Sequence, residues 1–179
     1  MGAAWQPNLS TALSLANVID APTAGAAENH ISPTTHVWVS GGPLELDFDF
    51  GAEYDLGLLH FWNYYGESYD VDNIDFTFFD ASKNLVGSLL GVSPALGGGG
   101  SNPIYAEDYA LNFPSNVQYV NAVLTGSNGQ VDFNNIGFTA ELSPPTNPSV
   151  PDLGNPIVLL VLSLMSFGLM RRMTVKRAK

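Results

Sequence analysis

From Leu44 to Phe50 apolar and acidic residues alternate without a break, so Leu44, Leu46, Phe48 and Phe50 share one face and Glu45, Asp47 and Asp49 the other. A period of two predicts a half-buried strand. Leu56–Tyr64 is apolar on both faces and predicts a strand central in its sheet. Alternation returns at Ile74–Phe78, Asp80–Asn84 reads as a turn, and Leu85–Leu90 as the returning strand. Val117–Thr125 predicts a late strand, Gly126–Gly129 a turn, and Val131–Phe133 with Ile136–Leu142 the close of the sheet. No window in this region has a helical period. Short strands punctuated by Gly, Asn and Pro predict an all-β sandwich or barrel from about residue 16 to 142. Leu46, Phe48, Phe50, Phe76 and Phe78 are expected to point inward.

After Leu142 the pattern changes. Residues 143–151 contain four prolines in nine positions, which cannot continue a sheet and favour an extended spacer. Ile157–Met170 then carries no charge, and Arg171-Arg172 follow at once. Fourteen helical residues span roughly 21 Å against about 30 Å of bilayer core. Snorkelling arginines, with Met173 and Val175 in the apolar layer, supply the missing length. A buried core helix is the alternative, but it fits poorly with a Pro-rich linker on one side and a basic chain end on the other. Three segments are therefore expected: a sandwich over 1–142, a linker over 143–152, and one C-terminal hydrophobic helix with a basic tail over 153–179.

Charge sharpens this division. All 17 acidic residues lie at or before Asp152, and Lys83 is the one basic residue before Arg171. The acidic body repels phosphate backbones, which excludes nucleic acid as a partner, and favours cations with oxygen ligands such as Ca²⁺. The basic end should stay on the cytoplasmic side of an inner membrane, leaving the sandwich outside. The absence of cysteine excludes disulfides, thiolate metal sites and Cys nucleophiles. Residues 1–25 hold neither a basic n-region nor a continuous apolar run, so the export that the tail demands implies a signal upstream of Met1.

Candidate chemistry is sparse. The acids of Tyr69–Asp75 do not match a calcium-binding EF-hand loop, because Ile74 interrupts the spacing, and they read as solvated. His30, His36 and His60 show no metal-ligand spacing, and His60 reads as a satisfied residue within a strand. Trp62 reads as core. Tyr65 and Tyr69 flank Gly66-Glu67-Ser68, a predicted loop, and are the candidate ligand-binding residues, able to stack on a sugar ring. There is no Gly-x-Ser-x-Gly, His-Glu-x-x-His or phosphate loop, and no acidic pair stands out as a hydrolase dyad, so no enzyme is expected.

Two resemblances add to this reading. Val150-Pro151-Asp152-Leu153-Gly154, the apolar run and Arg171-Arg172 resemble the PEP-CTERM class of bacterial sorting signals, and more closely its Val-Pro-Asp-Ser-Gly (VPDSG-CTERM) variant, with Leu153 in place of Ser. The resemblance implies a sorting motif of Val150, Pro151, Asp152, Gly154, Arg171 and Arg172. It also implies processing by an exosortase and delivery to the cell surface or extracellular matrix.

The second resemblance rests on Leu15–Asp20, Trp38-Val39-Ser40, Leu46–Gly51, Leu59–Tyr64, Val117–Val120, Thr125-Gly126-Ser127 and Ile136–Leu142. Together these are similar to a discoidin-like, galactose-binding-like domain, which implies an antiparallel jelly-roll β-sandwich that binds sugars or other surface ligands. It also implies a structural Ca²⁺ pinning the N-terminal loop to the last strand, with Asp20, Thr35 and Glu141 as its ligands. The expected protein is a non-catalytic, exported surface or matrix protein binding extracellular polysaccharide. The alternatives are an adhesive or structural protein without a sugar site and, behind it, a polysaccharide-acting enzyme.

Overall fold

A computed structural model describes residues 2–3, 9–11, 18–30, 35–97 and 103–144. The chain divides into units Met1–Ser143 and Pro144–Lys179. The second lies outside the described residues except for Pro144, and with it the expected linker, helix and sorting motif. Among the described residues no helix is long and apolar enough to cross a membrane.

The first unit is all β. Its strands are β1 (Gly2–Ala3), β2 (Leu9–Thr11), β3 (Ala27–Glu28), β4 (Val37–Ser40), β5 (Leu44–Asn63), β6 (Asn73–Phe79), β7 (Leu85–Val92), β8 (Ile104–Tyr105), β9 (Glu107–Ala110), β10 (Val117–Thr125) and β11 (Gln130–Leu142). Every pairing is antiparallel. The main hydrogen-bonded path runs β2-β4-β11-β5-β10-β6-β7, with β1 and β9 also on β5 and a separate β3-β8 pair.

β5 explains how one path makes two layers. The sequence suggests two strands, at 44–50 and 56–64; the structure runs them together as one 20-residue strand. Its first part pairs with β10, Leu44 opposite Leu124 through Asp49 opposite Tyr119. Its second part pairs with β11, Leu56 opposite Ala140 through Asn63 opposite Phe133, and with β9. Between them stands Gly51 at φ +77°, where a side chain would be strained, and its N–H is held by the Asp49 carboxylate at 2.8 Å. The strand passes from one partner to the other three residues after this glycine bend, at Tyr54, which stands opposite Val117 of β10 and Leu142 of β11, and so belongs to both layers.

The period-two residues land as expected. Leu44, Leu46, Phe48, Phe76 and Phe78 are buried, and Phe50 is half-buried against the same core. β10 contributes Val117, Val120, Ala122 and Leu124, and β11 contributes Val131, Phe133 and Ile136. The turn after β6 is built by Asp80, whose carboxylate accepts from the N–H groups of Ser82 and Asn84 at 2.8 Å each. β11 shifts register between Phe133 and Asn135, at the gap between the two predicted closing strands, so Asn134 sits at a bulge.

Candidate functional site

The bulge on β11 brings polar residues into the interior. Asp132, Asn134 and Asn135 are all buried, in a stretch where an antiparallel strand would ordinarily send every second side chain to water. Opposite them lie His30 and the residues leading into β4, Thr35 and His36. The His30 and His36 rings stack with centroids 4.0 Å apart. His30 Nε2 stands 3.6 Å from Asp132 Oδ2.

Asn134 orients this group. Its Nδ2 donates to the Thr35 carbonyl at 3.1 Å, so its Oδ1 is the acceptor facing His30 Nδ1 at 3.0 Å. His30 Nδ1 therefore carries the proton and Nε2 presents its lone pair towards Asp132. Two atoms here are buried without a hydrogen-bond partner: His36 Nδ1 and Asp132 Oδ1. Burial pushes the Asp132 carboxyl up to about 8. Burial, and then the neighbouring His30, pushes His36 down to about 4, and burial also lowers His30.

Aromatic rings extend the corner to the surface. Tyr64 packs on His30 at 4.6 Å between centroids and on Tyr65 at 4.4 Å, and Tyr69 meets Trp38 edge-on at 5.9 Å. The Tyr64 phenol is pushed up to about 12, first by its hydrogen bond with Tyr65 and then by burial. Trp38 Nε1 donates to Gln130 Oε1 at 2.7 Å. Tyr65 and Tyr69 are 36% and 41% exposed, so their rings are available to a ligand while neighbouring rings hold them in place.

The loop that carries these tyrosines is fixed by Asn63 at the end of β5. Its Oδ1 accepts from Tyr64 N–H and Val71 N–H, and its Nδ2 donates to the carbonyls of Val71 and Ala95, all at 2.9–3.0 Å. A buried amide with its full set of bonds makes this loop part of the framework. Across from it, a Cβ on Gly126 would lie 1.9 Å from the Gln130 carbonyl oxygen and 2.8 Å from that of Asp70, so only glycine allows the β10–β11 turn to close there.

Tyr65 and Tyr69 thus stand at an exposed loop, as expected. Asp20, Thr35 and Glu141 are not brought together. The Asp20 carboxylate accepts from Asn135 Nδ2 at 3.1 Å, while Asn135 Oδ1 accepts from the backbone N–H groups of Asp20 and Ala21. Thr35 donates its hydroxyl to the Asn29 carbonyl. Glu141 lies six residues further along β11, opposite Asp55. At about 3.3 Å per residue that is roughly 20 Å from Asn135, too far for one ion to join it to Asp20. The neutral amide of Asn135 makes the tie between the N-terminal loop and the last strand.

Other expectations meet the structure directly. His60 is buried with both nitrogens engaged, Nδ1 on Asp108 and Nε2 on Thr139, each at 2.6 Å. Trp62 is core, its Nε1 donating to the Ala26 carbonyl at 2.9 Å. The acidic cluster is only partly solvated: Asp70 is buried, and burial followed by the Asp72 charge raises its carboxyl above the usual range. Val150, Pro151, Asp152, Gly154, Arg171 and Arg172 lie outside the described residues. The grouping of His30, His36 and Asp132 went unread in the sequence, where Asp132 is separated from His36 by nearly the whole domain; its local sign is an acid within the apolar Val131-Asp132-Phe133.

No family model and no curated protein matches the chain. Among solved structures it is similar to CBM32-1 from a family 31 glycoside hydrolase of Clostridium perfringens, with TM-score 0.52 and 10% identity over 76% of this chain and 92% of that one. The fold is the antiparallel jelly-roll β-sandwich of that module. A pectin-binding carbohydrate-binding module matches this jelly roll with TM-score 0.49 and 14% identity, over 73% of the chain and 82% of the module. The CBM32 of AlyQ, solved with 4,5-unsaturated mannuronic acid, matches with TM-score 0.43 and 15% identity, over 69% and 84%.

Proposed function

We propose that the jelly roll is a non-catalytic carbohydrate-binding module, exported and displayed at the cell surface or in the extracellular matrix. The observation that carries this reading is the pair Tyr65 and Tyr69, exposed on a loop that Asn63 holds rigid. A sugar ring offers an apolar C–H face to an aromatic ring and hydroxyls to the polar groups around it. A pre-fixed aromatic pair engages that face with little ordering cost. The fold shared with a glycoside hydrolase's CBM32 supports the same class of ligand.

The test is binding of the full-length chain, in mild detergent, to an array of bacterial and plant polysaccharides. Tyr65→Ala and Tyr69→Ala should each weaken binding by about tenfold or more, the loss typical of a central aromatic contact. A double variant that binds the same polysaccharide as tightly as the parent rules out this loop as the site. Failure of the parent to bind any glycan favours the adhesive or structural alternative.

Display is read from the sequence of the C-terminal segment. Its apolar run followed by five basic residues favours insertion with the basic end facing the anionic cytoplasmic leaflet, by about 1 kcal/mol per basic residue near the surface. The Val150–Gly154 motif supports recognition by an exosortase-type enzyme. With a signal peptide supplied, the chain should fractionate with membranes, and deletion of residues 153–179 should release it. A full-length chain that remains soluble and monomeric without detergent overturns this part of the proposal.

A further inference from the structure

We propose that His30, His36 and Asp132 form a binding site for a divalent transition-metal ion of the zinc class, which ties Asn29–His30 and Thr35–His36 to the start of β11. One ring nitrogen from each histidine and one carboxylate oxygen lie within 4.8 Å of one another. A tetrahedral zinc centre holds its donors roughly 3.3 Å apart, given metal–ligand distances of about 2.0–2.1 Å. Small side-chain rotations about the ion would close the difference.

Three further observations point to an ion rather than to an internal ion pair. First, His36 and Asp132 are 3% and 5% exposed, yet His36 Nδ1 and Asp132 Oδ1 have no hydrogen-bond partner. Contact between His30 and Asp132 Oδ2 leaves both of those atoms unanswered, and a buried polar atom without a partner is costly. A cation between the side chains would satisfy both.

Second, the outer arrangement is that of a metal-bound histidine. His30 gives its Nδ1–H to Asn134 Oδ1, which fixes the tautomer and leaves Nε2 as the donor nitrogen, and Asn134 is itself anchored on the Thr35 carbonyl. Third, the donor set is selective. Two imidazoles and one carboxylate suit zinc and its neighbours, whereas calcium prefers a larger set of oxygens. Three protein ligands also leave a fourth position for water or another oxygen donor.

The experiment strips the full-length chain with chelator in mild detergent and titrates it with Zn²⁺ or Ca²⁺ alone by calorimetry. Zinc should bind at one ion per chain and raise the melting temperature, and calcium should do neither at the same concentration. His36→Gln and Asp132→Asn should each weaken zinc binding by about tenfold or more, with far-UV circular dichroism confirming a folded sheet. Should either variant fail to fold, long-range ¹H–¹⁵N spectra of the stripped parent give the answer independently. Zinc should shift the ring nitrogens of His30 and His36 and leave those of His60 unmoved. No zinc binding, equal binding by folded variants, or a shift confined to His60 overturns the assignment.

Discussion

The layer built on β6, β10 and the first half of β5 differs in kind from the corner where β11 begins. In the layer the alternation is clean: Leu44, Leu46 and Phe48 face in while Glu45, Asp47 and Asp49 face out, and β6, and β10 from Tyr119 onward, alternate in the same way. At the corner Asp132, Asn134, Asn135 and His36 turn inward with Asn63 and Asp70 nearby. The layer gains stability from apolar area and needs no particular partner for any one residue. The corner is held by specific bonds, so each residue there depends on atoms far away in the chain. One region buries a core; the other fixes loops in place.

The sharpest way to test this contrast is to injure both regions. Phe76→Ala, in the layer, should cost about 3–5 kcal/mol in urea denaturation by loss of apolar contact and creation of a cavity. The loss should be global, lowering protection against hydrogen exchange throughout the jelly roll. Asn63→Leu, at the corner, should cost about 2–3 kcal/mol, because the Val71 N–H and the carbonyls of Val71 and Ala95 lose their partner inside the protein. Here the increase in exchange should be greatest at Val71 and through the loop carrying Tyr65 and Tyr69, and polysaccharide binding should fall with it. Equal, uniform effects from both substitutions would show that the corner is simply more core.

The same division governs what could be read from the sequence. A strand with one wet face prints its burial as alternation, which is why residues 44–50, 74–78 and 117–125 were legible and the inward set of Leu46, Phe48, Phe76 and Phe78 followed. The continuity of β5 was not legible, because Gly51 and the residues after it read as a break, and only pairing with β10 and then β11 makes them one strand. β3 and β8 are two residues each, too short for any period. At the corner the informative neighbours are His36 and Asp132, and no local spacing encodes a meeting across that distance. Glu141 lies near the end of β11, opposite Asp55, and the residue that reaches Asp20 is Asn135, a meeting across more than a hundred residues that local sequence does not encode.

The sharing of β5 between both layers has a consequence for when the chain can fold. During synthesis β5 emerges early, but its hydrogen-bonding neighbours on the main path, β10 and β11, are the last strands of the domain to be made. Bringing them back closes loops of many tens of residues, a cost met before any of the cross-strand contacts are gained. A growing chain that stops short of residue 117 therefore has neither layer closed around Phe48, Phe61 and Phe76. Folding waits until nearly the whole domain has been released; under the proposed export, that delay would keep the chain threadable.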